Sequence, residues 1–212
     1  MTAEDQGPTA ADPAFEYIYA SAGDDLASIP WANLAPNPAL QKWLDTRAAA
    51  NGAPALIVAC GLGDDAEELA RRGYGVTAFD VSPTAIELCR SRFPASTVDY
   101  LVADLFDLPD TWTQAFDSVV EIRTLQSLPL ELRTDAARAI AETVATGGRL
   151  FVRTAKRNPD EPLTSRPWPL TRTELDAFET VGLTELEVRD EPPRESRFAT
   201  FTAVYERPPS TT

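Results

Sequence analysis

No histidine occurs among the 212 residues. His-based catalytic triads, imidazole general bases and histidine metal sites are therefore excluded, and no metal is expected. Lysine is nearly absent too: Lys42 and Lys156 are the only two. The two cysteines, Cys60 and Cys89, are too few for a disulfide framework and read as reduced packing residues. No apolar run reaches the roughly eighteen residues of a membrane span. The acidic, polar start through Pro13 lacks the basic and apolar regions of a secretory signal, so a cytoplasmic location is expected.

Positive charge is also short, with 19 Lys and Arg against 33 Asp and Glu, a net −14. Such a surface repels nucleic-acid phosphates and anionic lipid, so a small molecule is the expected partner rather than DNA, RNA or a membrane. The hydrophobic fraction of 43% is ordinary for a globular protein. The length suits one domain, expected to be monomeric. Residues 1–13 read as a disordered tail, 14–207 as a single domain opening with a helical segment over 14–50, and 208–212 as a C-terminal tail.

From residue 54 strands and helices alternate. Ala55–Cys60 is a continuous apolar run, as in a strand buried on both faces. A helix follows from Asp64 to Arg72, stopped by Gly73. Gly75–Asp80 is a second strand. Ser82 and Pro83 supply the N-cap and first position of the next helix. Val98–Ala103, Phe116–Ile122 and Arg149–Thr154 read as further strands, with a helix before the last of them ending at Gly147-Gly148. Leu183–Asp190 and Phe198–Tyr205 have no helix between them and should pair as an antiparallel hairpin. This pattern predicts an α/β, Rossmann-like fold, mostly parallel, with helices on both faces.

Chemistry concentrates at the strand ends. The turn Cys60-Gly61-Leu62-Gly63 joins a buried strand to a helix, where glycines permit positive φ and close approach of a ligand. Asp80 ends the second strand, where a carboxylate can accept from a ribose diol. Asp104 and Leu105 follow the third and suit an adenine amino group and ring. Glu121 and Arg123 end the fourth. All these ends share one edge of the sheet, the ligand-binding edge of such folds.

Gly-x-Gly-x-x-Ala also fits a dinucleotide site, which keeps a nicotinamide-dependent oxidoreductase as an alternative. Asp64 and Asp65 at the helix mouth argue against a pyrophosphate there. They suit S-adenosylmethionine, which carries an ammonium and a sulfonium but no phosphate. A non-catalytic protein binding that molecule, or an acidic interaction module, are the other readings.

Residues 54–154 resemble the class I S-adenosylmethionine-dependent methyltransferases, in which the seventh strand inserts antiparallel between the fifth and sixth. Ile29-Pro30-Trp31, Cys60-Gly61, Phe79-Asp80-Val81-Ser82 and the run Val120–Pro129 look closest to the thiopurine, thiol and halide methyltransferase branch. Ile122 departs from that branch, which has an acid there. The resemblance implies donor or substrate contacts at Trp31, Ala59, Asp80 and Arg123. Together with the residues above, the expected donor contacts are Trp31, Ala59, Gly61, Leu62, Gly63, Asp80, Val81, Asp104, Leu105, Glu121 and Arg123. Glu121 and Arg123 are also the catalytic candidates, Asp24 and Asp25 are alternative bases, and Trp168 is a candidate wall on the acceptor side. S-adenosylhomocysteine would be the product.

Overall fold

The structure is a computed structural model and describes residues 12–163, 165–193 and 198–209. The expected tail lies outside these residues through position 11. Its last two positions do not: Asp12 caps the first helix by accepting from Ala14 N, and Pro13 opens it. That helix, α1 (Pro13–Ala22), is followed by α2 (Pro38–Asp45). Prolines at 30 and 36 keep the chain between them irregular. Asn37 caps α2, whose Leu40, Trp43 and Leu44 are buried, as their spacing predicts.

Seven strands form one sheet: β1 (Pro54–Val58), β2 (Gly75–Asp80), β3 (Asp99–Val102), β4 (Phe116–Ile122), β5 (Val144–Ala155), β6 (Thr184–Glu191) and β7 (Thr200–Glu206). Their order is β3-β2-β1-β4-β5-β7-β6. The first five are mutually parallel, and β7 runs antiparallel to both neighbours. This is the class I methyltransferase arrangement that the resemblance implies.

The helices α3 (Asp64–Arg71) and α4 (Pro83–Arg92) lie with α2 on one face, around Ile57, Val120 and Phe151. On the other face, α5 (Arg133–Thr143), α6 (Arg172–Leu175) and α7 (Ala177–Thr180) cover Leu56, Val119, Leu150 and Tyr205. Phe151 and Tyr205 are wholly buried, each worth roughly 1.5–3 kcal/mol relative to exposure. Thr171 and Glu174 form a capping box at the start of α6.

One boundary is corrected. Gly147 and Gly148 do not end a helix; α5 stops at Thr143 and both glycines lie within β5. Register there is irregular, and a side chain on Gly148 would meet Phe116 O at 2.9 Å and Ala145 O at 2.8 Å. The pair therefore serves a strand irregularity. Among the described residues no helix is long and apolar enough to cross a membrane.

Candidate active site

Parallel register brings the ends of β1 through β4 together. Val58 pairs with Phe79 and Glu121, and Asp80 pairs with Val102. The chain then leaves β1 through Ala59, at φ +50, and Gly61, at φ +56, both in the left-handed region. Gly63, at φ +85, is the N-cap of α3. A side chain there would stand 2.6 Å from the Tyr100 hydroxyl and 3.0 Å from Cys89 Sγ. Gly63 thus lets α3 approach its neighbours and contributes only indirectly to a ligand surface. At Gly61, by contrast, the nearest atom to a hypothetical Cβ is the Tyr19 hydroxyl, 3.2 Å away.

Asp80 is buried at the end of β2. Its Oδ2 accepts from Gly61 N at 3.0 Å and its Oδ1 from Ser82 N at 3.0 Å. One carboxylate thereby ties the glycine turn to the start of α4. Burial raises its pKa above the ordinary value, and the hydrogen bonds from Ser82, Gly61 and Val81 oppose that.

Asp64 and Asp65 have separate roles. Asp64 forms a two-pronged ion pair with Arg92 at 2.9 Å, and Arg92 also donates to Leu62 O. The expected pair of free acids at the helix mouth is therefore corrected: Asp64 is neutralised, and Arg92, 28 residues away, is a partner the sequence did not reveal. Asp65 accepts from Asn37 N at 2.7 Å, docking the segment before α2. Burial pushes it up to about 6, helped by Asp64 and opposed by the Asn37 bond and Arg123.

Past β3, Asp104 accepts from Phe106 N at 2.9 Å. Leu105 is turned into the core, in the cluster that holds Phe79. Past β4, Glu121 is fully buried and accepts through Oε1 from Thr124 N (2.5 Å) and Leu125 N (3.0 Å). Its Oε2 has no partner among the described residues, and burial pushes the carboxyl up to about 7. Arg123 has φ +68 and donates to Trp31 O at 3.3 Å. It has no carboxylate within 4.0 Å among the described residues. Burial and the adjacent Arg153 lower its pKa.

The N-terminal segment roofs these strand ends. Tyr19, Ile29, Leu62 and Ala85 form a buried cluster, with Trp31 packed against it. Trp31 Nε1 donates to Tyr19 Oη at 2.9 Å, and the Trp31 ring meets Phe15 and Tyr19 edge-on at 5.8 and 5.6 Å. Glu16 pins α1 to α4 by accepting from Ser82 Oγ (2.5 Å), Thr84 Oγ and Thr84 N (3.3 Å). On the far side, Arg166 stands over both Phe15 and Trp168 at 5.0 Å and pairs with Asp12 at 2.7 Å. Trp168 is reached through this contact, while Asp24 and Asp25 are exposed on the loop after α1. Sequence reasoning missed Tyr19, Glu16 and Arg166. The available signal was Phe15 and Tyr19, spaced i, i+4 on one helix face. Cys60 and Cys89 are free thiols, with Cys89 buried as expected.

The sheet order is that of the class I methyltransferase fold. Residues 55–148 match the family model for a methyltransferase domain. A ubiquinone biosynthesis O-methyltransferase from Xanthomonas euvesicatoria pv. vesicatoria is 35% identical over 125 residues, covering 58% of this chain and 52% of that protein. The chain thus spans about half the length of the curated relatives it matches. A TehB-like S-adenosylmethionine-dependent methyltransferase from Corynebacterium glutamicum superposes with TM-score 0.67 at 22% identity, over 92% of this chain and 100% of that one. A structure concerned with converting a disulfide bond into a thioacetal group during echinomycin biosynthesis superposes with TM-score 0.68 at 23% identity, over 86% of each chain. These comparisons agree with the class I resemblance; the curated relative named above is an O-methyltransferase, and none of the three bears out the thiopurine branch.

Proposed function

We propose that this chain is an S-adenosylmethionine-dependent methyltransferase acting on a small-molecule acceptor. The observation that carries the reading is the convergence of the Gly61 turn, Asp80, Asp104 and Arg123 at one sheet edge beneath an aromatic roof. The fold and the methyltransferase-domain match favour it over a nicotinamide oxidoreductase and over a non-catalytic binding protein.

The residues suit this donor. Asp80 is a buried carboxylate that accepts from Gly61 N on one oxygen and from Ser82 N on the other, which leaves lone pairs on both to accept from a ribose diol. Asp104 and the backbone beside it take the adenine edge, with Leu105 packed into the core behind them. Ala59, Gly61 and Leu62 shape the turn against the amino-acid part, supported from behind by Gly63, and Val81 flanks the ribose. Glu121 holds the loop after β4 in place by capping it.

When bound, the donor supplies an electrophilic methyl group on a sulfonium. The chain's part is to hold donor and acceptor at near-attack distance and keep water out. Trp31, Tyr19 and Phe15 do the second; Arg123 orients the acceptor. Glu121 is a poor general base, because it is fully buried and committed to the loop. The acceptor is therefore one that arrives ionised or ionises easily: a thiolate, a halide or an acidic hydroxyl. The O-methyltransferase relative favours the hydroxyl.

Calorimetric titration with S-adenosylhomocysteine beside NADH tests the reading. Micromolar binding of the first and none of the second is expected. Binding of neither, or of NADH alone, overturns it.

A further inference from the structure

Tyr19 is 4% exposed, and its hydroxyl stands over the glycine turn, 3.2 Å from where a Gly61 side chain would begin. That oxygen accepts from Trp31 Nε1 at 2.9 Å. Its own O–H has no acceptor among the described residues. Tyr100 and Tyr205, by comparison, donate to Glu67 Oε1 at 2.8 Å and to Leu175 O at 3.1 Å. A buried phenol that accepts without donating is unusual, since phenols normally use the proton they hold.

The surroundings select what would take that proton. Burial, and then the charge of Asp80, disfavours the phenolate, so the hydroxyl stays a neutral donor. The Asp80 oxygens already accept from Gly61 N and Ser82 N, and no bond joins Tyr19 to them. The Trp31 bond fixes the oxygen from one side and leaves the proton to turn toward the Gly61 peptide.

We propose that Tyr19 is a donor-binding residue, donating its phenolic O–H to the carboxylate of the amino-acid part of the methyl donor. This rests on the methyltransferase reading above. It makes the roof part of the binding site as well as a cover: α1 contributes the hydrogen bond and Trp31 sets its direction.

A pair of ligands tests this apart from the parent reading. S-adenosylhomocysteine carries the amino-acid group; 5′-methylthioadenosine keeps the adenosine and thioether and lacks it. Tyr19→Phe retains the ring and loses the hydroxyl. Tyr19→Phe is expected to weaken S-adenosylhomocysteine binding by roughly tenfold or more, the range for a hydrogen bond to a charged group, while 5′-methylthioadenosine binds as to the original chain. Trp31→Phe, which keeps the phenol but releases its oxygen, should also weaken S-adenosylhomocysteine more than 5′-methylthioadenosine, by less than Tyr19→Phe does. Equal losses of both ligands in Tyr19→Phe would mean that the hydroxyl only holds the roof together, and an unchanged S-adenosylhomocysteine affinity would remove it from the site. If the original chain binds neither ligand, the donor assignment itself fails. Both readouts are calorimetric and need no acceptor.

Discussion

Arg166, in the loop between β5 and α6, sets its guanidinium 5.0 Å from the ring of Phe15 on α1. The same group covers Trp168 at 5.0 Å and pairs with Asp12, so one side chain fastens the roof to the loop. Cation–π contacts of this kind are worth about 0.5–2 kcal/mol each, while the half-exposed ion pair adds little. Arg166→Ala should therefore cost roughly 1–2 kcal/mol in the local opening of α1 and leave the sheet intact. Amide exchange in α1 is expected to speed up several-fold, with the β4 and β5 amides unaffected. Uniform acceleration everywhere would contradict a local fastening role.

Asp80 joins the turn, the start of α4 and the proposed ribose contact. Asp80→Asn keeps the shape and removes the charge that a diol prefers. S-adenosylhomocysteine affinity should fall at least tenfold, with a melting temperature lower by a few degrees. A loss under about threefold, less than ~1 kcal/mol, would rule out the ribose role.

Arg123 combines two unfavourable features for stability: φ +68 on a non-glycine residue and a half-buried guanidinium without a carboxylate partner among the described residues. The left-handed backbone alone costs about 1–2 kcal/mol, against which glycine's larger chain entropy counts about 0.5–1. Arg123→Gly should raise the melting temperature by about 2–4 °C and raise the KM for anionic acceptors by tenfold or more, with neutral acceptors little changed. A lower melting temperature would show that the arginine is a structural strut.

Glu121, held at about 7 in the folded chain, ties stability to pH. The folded state binds this proton more tightly than the unfolded chain, whose glutamates titrate near 4.3. The contribution is thus complete below that value and is lost as pH rises toward 7, by roughly 2–3 kcal/mol between pH 5 and 8. Glu121→Gln should remove this slope while still capping the loop through its amide oxygen. Denaturant unfolding of both proteins at pH 5 and pH 8 is the check: the variant should gain relative to the original at the higher pH. A constant difference would place Glu121 in an ordinary carboxylate environment.

What could be read from sequence follows the range of the forces involved. β2 and β4 have the predicted bounds, and Ser82-Pro83 caps α4 as expected, because strand runs and caps are written in adjacent residues. The collection of Asp80, Asp104 and Arg123 at one edge was also legible, since parallel strands place their ends together. Contacts made across long separations were not. Arg92 neutralising Asp64, Glu16 reaching Ser82 and Tyr19 covering Gly61 all depend on how helices dock. Gly147-Gly148 misled because a glycine pair looks the same in a helix stop and in a strand irregularity.

The place of β7 has a consequence for how this chain is made. It lies between β5 and β6, pairing with both, yet comes last of the seven strands in chain order. Until residue 206 has left the ribosome, β5 presents an open edge along Arg149–Ala155, and β6 has no neighbour at all. Unpaired edges of that length recruit other strands. The nascent chain thus carries β1 through β4, complete by residue 122, well before its sheet can close, and ribosome stalling between 160 and 200 would leave a sticky intermediate.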